Sequence, residues 1–198
     1  MNTRRLFLAL AAATCLTACD PPGASRSSFQ AIDITGADYA KTLALPDQNG
    51  TPRTLADFKG KVTVVFFGFT QCPDVCPTTM AELAQVKKSL GADGERVQGV
   101  FVTVDPERDT PELLKAYMGS FDPSFVALRG TLEQTAAAAK EFKVYYAKVP
   151  NKSGSYTMDH TAGSYIFDTE GKVRLFTRYG TGAEALTSDI TALLAEAA

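Results

Sequence analysis

Two long, mostly apolar runs stand out along the chain, at residues 62–69 and 97–104. Both are rich in β-branched and aromatic residues and lack polar alternation, which is typical of central strands buried on both faces. Helical spacing follows the first run, over residues 78–90, with Pro77 suited to the first turn. After the second run, Thr110-Pro111-Glu112 reads as the start of another helix. Alternating strands and helices of this kind predict an α/β domain.

Weaker patterns complete the prediction. Residues 42–45 and 51–55 flank an Asn49-Gly50 turn and predict an N-terminal hairpin. The remaining segments predict, in order, a short strand, an Ala-rich helix, an irregular stretch, a closing hairpin and a C-terminal helix (residues 125–128, 131–142, 144–159, 164–176 and 183–195). The fold expected is a mixed central sheet flanked by helices. A central strand that leads into a cysteine pair at a helix start is the thioredoxin-like arrangement.

The first 18 residues have the layout of an export signal. Arg4 and Arg5 precede a short apolar run over residues 6–14, which is too short to span a bilayer as a helix. The string LTAC, ending at Cys19, resembles the lipobox of bacterial lipoproteins, which implies cleavage before Cys19 and lipid on its thiol. A plain secretory signal cut near Ala18 is the alternative.

The residues around this signal bear on the export route and the location. The TRRLFL string resembles a twin-arginine signal, so both that route and the general secretory route stay open. Asp20 after the lipidated cysteine favours retention at the inner membrane, with the domain in the periplasm. Residues 19–36 are rich in Pro, Gly and Ser and predict a flexible tether, followed by one domain over residues 37–198.

Bulk composition adds little about partners. The 198-residue chain is 45% hydrophobic and carries a net charge of −2. That is enough apolar material for one buried core. No run of Lys and Arg suggests a nucleic-acid surface, so we expect no nucleic-acid partner.

Cysteine usage is more informative. Of the four cysteines, Cys15 falls within the predicted signal and Cys19 carries the predicted lipid, which leaves Cys72 and Cys76 as the free thiols. This pair follows the first central strand at a predicted helix N-terminus, where partial positive charge favours thiolate over thiol. Thiol–disulfide oxidoreductases usually have two residues between their cysteines, whereas this chain has three. The wider spacing still permits a disulfide, so redox chemistry stays open.

His160 is the single histidine of the chain, and it precedes the predicted strand at residues 164–167. In thioredoxin-like folds that loop normally carries a cis-proline facing the cysteines, but this chain has no proline after Pro150. His160 therefore stands where it can point at Cys72 and Cys76. Two thiolates and one imidazole form a soft ligand set that suits Cu(I) and tolerates Cu(II), while structural zinc would need a fourth strong ligand. Asp159 is the expected outer partner of the imidazole.

Three blocks of the sequence resemble the Sco/SenC family of thioredoxin-like copper chaperones: FFGFTQCPDVCPTTMAEL, VTVDPERDTPELLKAYMGSF and YTMDHTAGSYIFDTEGKV. The resemblance covers roughly residues 35–197. It implies copper binding by Cys72, Cys76 and His160, and assistance in assembling the binuclear copper site of cytochrome c oxidase. The implied partners are the copper-binding oxidase subunit, an upstream copper donor protein and a membrane. Two alternatives stay open: a thiol–disulfide reductase that keeps the oxidase cysteines reduced, and a redox or copper sensor.

Overall fold

The computed structural model describes residues 29–152 and 154–196. The two apolar runs form adjacent parallel strands, β4 (Val62–Gly68) and β5 (Val97–Thr103), in which every residue is buried. β6 (Val126–Leu128) continues the parallel set beyond β5, while β9 (Gly163–Phe167) and β10 (Val173–Arg178) pair antiparallel on the other side of β4. The prediction of a mixed central sheet is confirmed.

Within the described residues, four α-helices flank this sheet, and two of them begin at residues whose side chains cap the helix. Thr110 caps the second helix by accepting a hydrogen bond from the Leu113 N–H. Thr131 and Gln134 form a reciprocal capping box at the start of the third. The helices are α1 (Val75–Ser89), α2 (Pro111–Gly119), α3 (Leu132–Glu141) and α4 (Ala183–Ala195).

The predicted N-terminal hairpin is present as β2 (Ala44–Pro46) and β3 (Pro52–Thr54), which pair antiparallel. Gly50 lies in its turn with a φ of +80°, a left-handed conformation that glycine adopts without steric cost. The hairpin packs on the domain through buried Leu45. It thus adds to the core without joining the six-stranded sheet.

The prediction of an irregular stretch at residues 144–159 is wrong. This segment forms a second hairpin, β7 (Tyr146–Pro150) and β8 (Tyr156–His160), whose strands pair with each other. Of its strand residues only Met158 is buried. Because the hairpin is largely exposed, its sequence lacks the apolar alternation by which strands are recognised. His160 is the last residue of β8, so the hairpin determines where the imidazole lies.

The end of the expected tether is joined to the domain. β1 (Ile32–Asp33) pairs with β10 at the edge of the sheet. Just before it, the buried Asp189 of α4 accepts the main-chain N–H groups of Gln30 and Ala31, both at 2.8 Å. Residues 30–33, at the end of the expected tether, therefore contact the domain in the structure.

The predicted signal peptide, Cys19 and the Pro- and Ser-rich part of the tether lie outside the described residues. Within residues 29–152 and 154–196, no helix combines the length and the apolar character that crossing a membrane requires.

Candidate metal centre

The cysteine pair lies where β4 passes into α1. Cys72 is in the connecting loop and is partly exposed, whereas Cys76 lies in the first turn of the helix and is fully buried. The main-chain N–H of Cys76 donates to the Sγ of Cys72 at 3.4 Å. One of the helix's free N–H groups thus points at the more accessible sulfur.

His160 reaches the same point from β8. Its Nε2 lies 3.5 Å from the Sγ of Cys76. The ligand atoms of Cys72, Cys76 and His160 all lie within 4.8 Å of one another. The structure therefore brings together the three residues that the sequence singles out, although 84 positions separate Cys76 from His160.

The orientation of the imidazole is set by the main chain. The Nδ1 of His160 lies 3.1 Å from the carbonyl oxygen of Thr161. A carbonyl can only accept a hydrogen bond, so Nδ1 carries the proton and Nε2 presents a lone pair to the cysteines. This is the arrangement by which outer partners usually fix a metal-binding histidine.

Asp159, the outer partner expected from the sequence, does not have that role in the structure. It is exposed on β8, opposite Ala147. Neighbouring residues of a strand point to opposite faces, so Asp159 and His160 cannot both turn towards the cysteines. The Thr161 carbonyl takes the contact with the imidazole instead, and Asp159 acts on it only through its charge.

Aromatic side chains enclose the imidazole. The rings of Phe66 and Phe69 meet His160 edge-on, with centroids 5.8 Å away in both cases. Burial among these rings lowers the pKa of His160 below its ordinary value. The imidazole is therefore neutral near pH 7, which is the form that binds a metal.

The expectation that the helix N-terminus favours a thiolate fails at Cys76. Burial raises the pKa of this thiol far above its ordinary value. The loss of water around the sulfur outweighs the help of nearby N–H groups, including that of Phe69. A metal that binds here must displace the Cys76 proton.

Gly68, at the end of β4, is a site residue that sequence reasoning missed. A Cβ at this position would lie 2.9 Å from the Sγ of Cys76 and 2.7 Å from the ring of Phe66. The absence of a side chain is therefore what lets Cys76 approach the sheet. A glycine within a buried strand is the sequence signal for such close approach.

The donor set suits a soft metal. Two sulfurs and one imidazole nitrogen match the preferences of copper. Among the residues that the structure describes, no fourth cysteine, histidine or carboxylate joins the three, and structural zinc sites have four strong ligands.

A family model described as SCO1/SenC matches residues 33–195, which is most of the chain. The chain belongs to the SCO1/SenC family. Among its curated relatives is the mitochondrial protein SCO2 homolog of Mus musculus, 40% identical over 140 residues. That match covers 69% of this chain and 54% of the mouse protein, so the chain spans about half the length of this relative.

Solved structures of the SCO1/SenC family share the fold. ScoI of Bradyrhizobium japonicum, solved with copper bound, is 42% identical, with a TM-score of 0.70; the match covers 77% of this chain and 98% of that one. A SCO1/SenC family lipoprotein from Bacillus anthracis str. Ames is 30% identical, with a TM-score of 0.64, over 77% of this chain and 92% of that one. The thioredoxin-like fold expected from the sequence is confirmed.

Proposed function

We propose that this SCO1/SenC protein binds copper through Cys72, Cys76 and His160 and delivers it to the copper-binding subunit of cytochrome c oxidase. The observation that carries the proposal is the convergence of two thiols and one neutral imidazole within 4.8 Å. Copper bound to the similar ScoI supports the choice of metal. The recipient comes from the family resemblance of the CPDVC and DHT sequences, and the delivered copper would enter the binuclear site of the oxidase.

The unequal exposure of the two sulfurs suits delivery. Cys72 is partly exposed, so a donor or recipient thiolate can reach a copper ion bound there. Cys76 and His160 lie behind it and hold the ion while one ligand is exchanged for another. Transfer between similar soft sites proceeds without release of free metal. The upstream donor is, by the same chemistry, another protein with soft ligands.

A thiol–disulfide reductase that maintains the oxidase cysteines is the second candidate. An accessible Cys72 beside a buried Cys76, with sulfurs within 4.8 Å, is an arrangement that supports disulfide exchange. The same pair would also serve a redox or copper sensor. Copper binding and disulfide exchange compete for the same sulfurs, so they can be measured against each other.

We further propose that lipid on Cys19 holds the protein on the bacterial inner membrane, with the domain in the periplasm. The LTAC string supports the anchor, and the similar Bacillus anthracis protein is described as a lipoprotein. Asp20 supports retention at the inner membrane. Labelling cells with a radioactive fatty acid tests this proposal, since Cys19→Ala should abolish incorporation of the label.

Copper titration of the purified, reduced protein tests the main proposal. We expect one copper ion per chain, and a loss of affinity in His160→Ala larger than the roughly 10–100-fold that loss of an outer partner costs. Cys72→Ser should lose binding as well. Wild-type affinity in His160→Ala would refute the three-ligand site.

Disulfide turnover separates the two candidate functions. The reductase needs the two cysteines but not the histidine as a ligand. We therefore expect His160→Ala to lose copper while keeping whatever reduction of a disulfide peptide the wild type shows. Efficient, catalytic turnover by both proteins, with weak copper binding in the wild type, would favour the reductase instead.

A further inference from the structure

The hairpin that carries His160 is not anchored by the central sheet. β7 and β8 pair with each other, and neither belongs to the six-stranded sheet. Cys72 and Cys76, by contrast, follow directly from the central strand β4. The distance between the histidine and the two sulfurs therefore depends on contacts that join the hairpin to the rest of the domain.

Met158 of β8 is buried in the core, and Phe66 and Phe69 pack against His160. The polar contacts come from residues 105–109, the segment that follows β5; we call it the DPERD segment. The guanidinium of Arg108 stacks on the ring of Tyr156 at 3.7 Å and donates to the Tyr156 carbonyl oxygen at 2.7 Å. The Tyr156 hydroxyl donates to Asp105 at 2.8 Å, and Asp105 in turn pairs with Arg108. Asp105 is 1% exposed, so the carboxylate that joins Arg108 to Tyr156 is shielded from solvent.

The other end of the DPERD segment holds the cysteine loop. Asp109 is fully buried and accepts hydrogen bonds from the hydroxyls of Thr70, at 2.6 Å, and Thr103, at 2.5 Å. The Thr70 N–H donates to the same carboxyl at 3.2 Å. Thr70 stands two residues before Cys72, at the start of the loop that carries it.

We propose that the DPERD segment is a brace that fixes His160 relative to the cysteines, with Arg108 as its principal positioning residue. Asp105 and Arg108 bond to Tyr156, in the strand that ends at His160. Asp109 bonds to Thr70, in the loop that leads to Cys72. The DPERD segment follows β5, which is buried throughout and packed beside β4. The inference rests on the proposed function, because it gives Arg108 the role of positioning His160, the third ligand of the proposed copper site.

Lys148 provides a matched control for Arg108. It also links the hairpin to the DPERD segment, through an ion pair with Glu107, but both side chains of that pair are 46% exposed. Exposed ion pairs contribute little because solvent screens them. The Nζ of Lys148 also lies 4.8 Å from the centroid of the Tyr156 ring. Lys148→Ala thus removes a cation from the same interface but none of the hydrogen bonds among Asp105, Arg108 and Tyr156.

A double-mutant cycle of Arg108→Ala and His160→Ala tests the brace. We expect Arg108→Ala to weaken copper binding about 10–100-fold, as loss of an outer partner does, and to change the absorption spectrum of the copper-loaded protein. In the His160→Ala background the same change should have no further effect, because the brace acts through the histidine. Lys148→Ala should stay within about twofold of the wild type.

Hydrogen exchange in the metal-free protein gives a readout that needs no copper. Arg108→Ala should speed amide exchange in β7 and β8 while leaving β4 and β5 unchanged. If that variant does not fold, Tyr156→Phe serves in its place, since it keeps the ring and removes only the hydroxyl bonded to Asp105. It should give the same pattern with smaller changes.

Three results would overturn the brace. The first is that Arg108→Ala lowers copper affinity equally in the wild type and in the His160→Ala background. The second is that Lys148→Ala lowers copper affinity as much as Arg108→Ala does. The third is that amide exchange in the hairpin matches the wild type in both Arg108→Ala and Tyr156→Phe. A wild-type protein that binds no copper would instead overturn the proposed function. In that event the exchange measurement would still decide whether the DPERD segment holds the hairpin.

Discussion

Replacing Gly68 with alanine should disturb the core and the metal centre together. The added Cβ would lie 2.7 Å from the ring of Phe66, 2.9 Å from the Sγ of Cys76 and 2.9 Å from the ring of Phe101. Optimal contacts between such atoms are about 3.5–4.0 Å, so each neighbour must move by roughly 0.6 Å or more. All three neighbours are buried, with at most 1% exposure, and have little room to move.

The cost of this overlap should be about 1–3 kcal/mol in the free energy of unfolding, which is typical of an overpacked core. For a domain of this size, 1 kcal/mol corresponds to about 2–4 °C in Tm. Displacing the Cys76 sulfur also changes its 3.5 Å separation from the Nε2 of His160. We therefore expect copper affinity to fall even at temperatures where Gly68→Ala is fully folded.

Urea unfolding of the metal-free protein measures the loss of stability. Copper titration well below the Tm of the variant, where it stays folded, measures the loss of copper affinity separately. Gly119→Ala is the matched control, because Gly119 ends α2 and a Cβ there would meet nothing within 4 Å. It should be neutral, or stabilising by up to about 1 kcal/mol. If Gly68→Ala matches the wild type in both stability and copper affinity, the close approach of Cys76 to β4 is not a requirement of the site.

Three further predictions concern the two cysteines and the contact between Asp189 and the N-terminal segment. Burial raises the pKa of Cys76, so above about pH 9 the thiol loses its proton in the unfolded chain but keeps it in the folded one. The free energy of unfolding of the metal-free protein, measured in urea, should therefore fall by up to about 1.4 kcal/mol per pH unit there. Cys76→Ala should remove that dependence on pH. Iodoacetamide should modify the partly exposed Cys72 well before the buried Cys76, and mass spectrometry of the labelled peptides measures the two rates. Asp189→Ala should cost about 1–3 kcal/mol and speed amide exchange at Gln30 and Ala31; unchanged exchange there would contradict the anchoring contact.

The parts of the fold that the sequence predicts well are those with a strong local signal. Strands β4 and β5 are buried along their whole length, so their apolar runs are unmistakable. The caps of α2 and α3 are formed by Thr110 and Thr131, residue types that favour helix starts. In each case the residues themselves carry the physical cause of the element.

The parts that the sequence predicts poorly depend on tertiary contacts. The hairpin of β7 and β8 is largely exposed and bonds to side chains of the DPERD segment, so its strands show no regular apolar face. The outer partner of His160 is a main-chain carbonyl, which every residue type provides, so the identity of Thr161 gives no signal. The raised pKa of Cys76 follows from complete burial of its sulfur between α1 and β4, and the sequence around Cys76 does not reveal that burial.

The same burial bears on how copper would be loaded and released. Cys76 is a neutral thiol in the metal-free protein, so each copper ion that binds must expel its proton, and affinity should therefore rise with pH. His160 imposes no such cost near pH 7, because burial keeps its imidazole neutral. Under the proposed function, exchange that begins at the partly exposed Cys72 would leave the copper on Cys76 and His160 until the recipient supplies further ligands. Once the copper departed, the Cys76 sulfur would regain its proton and become a poor ligand again, which would favour completed transfer over return.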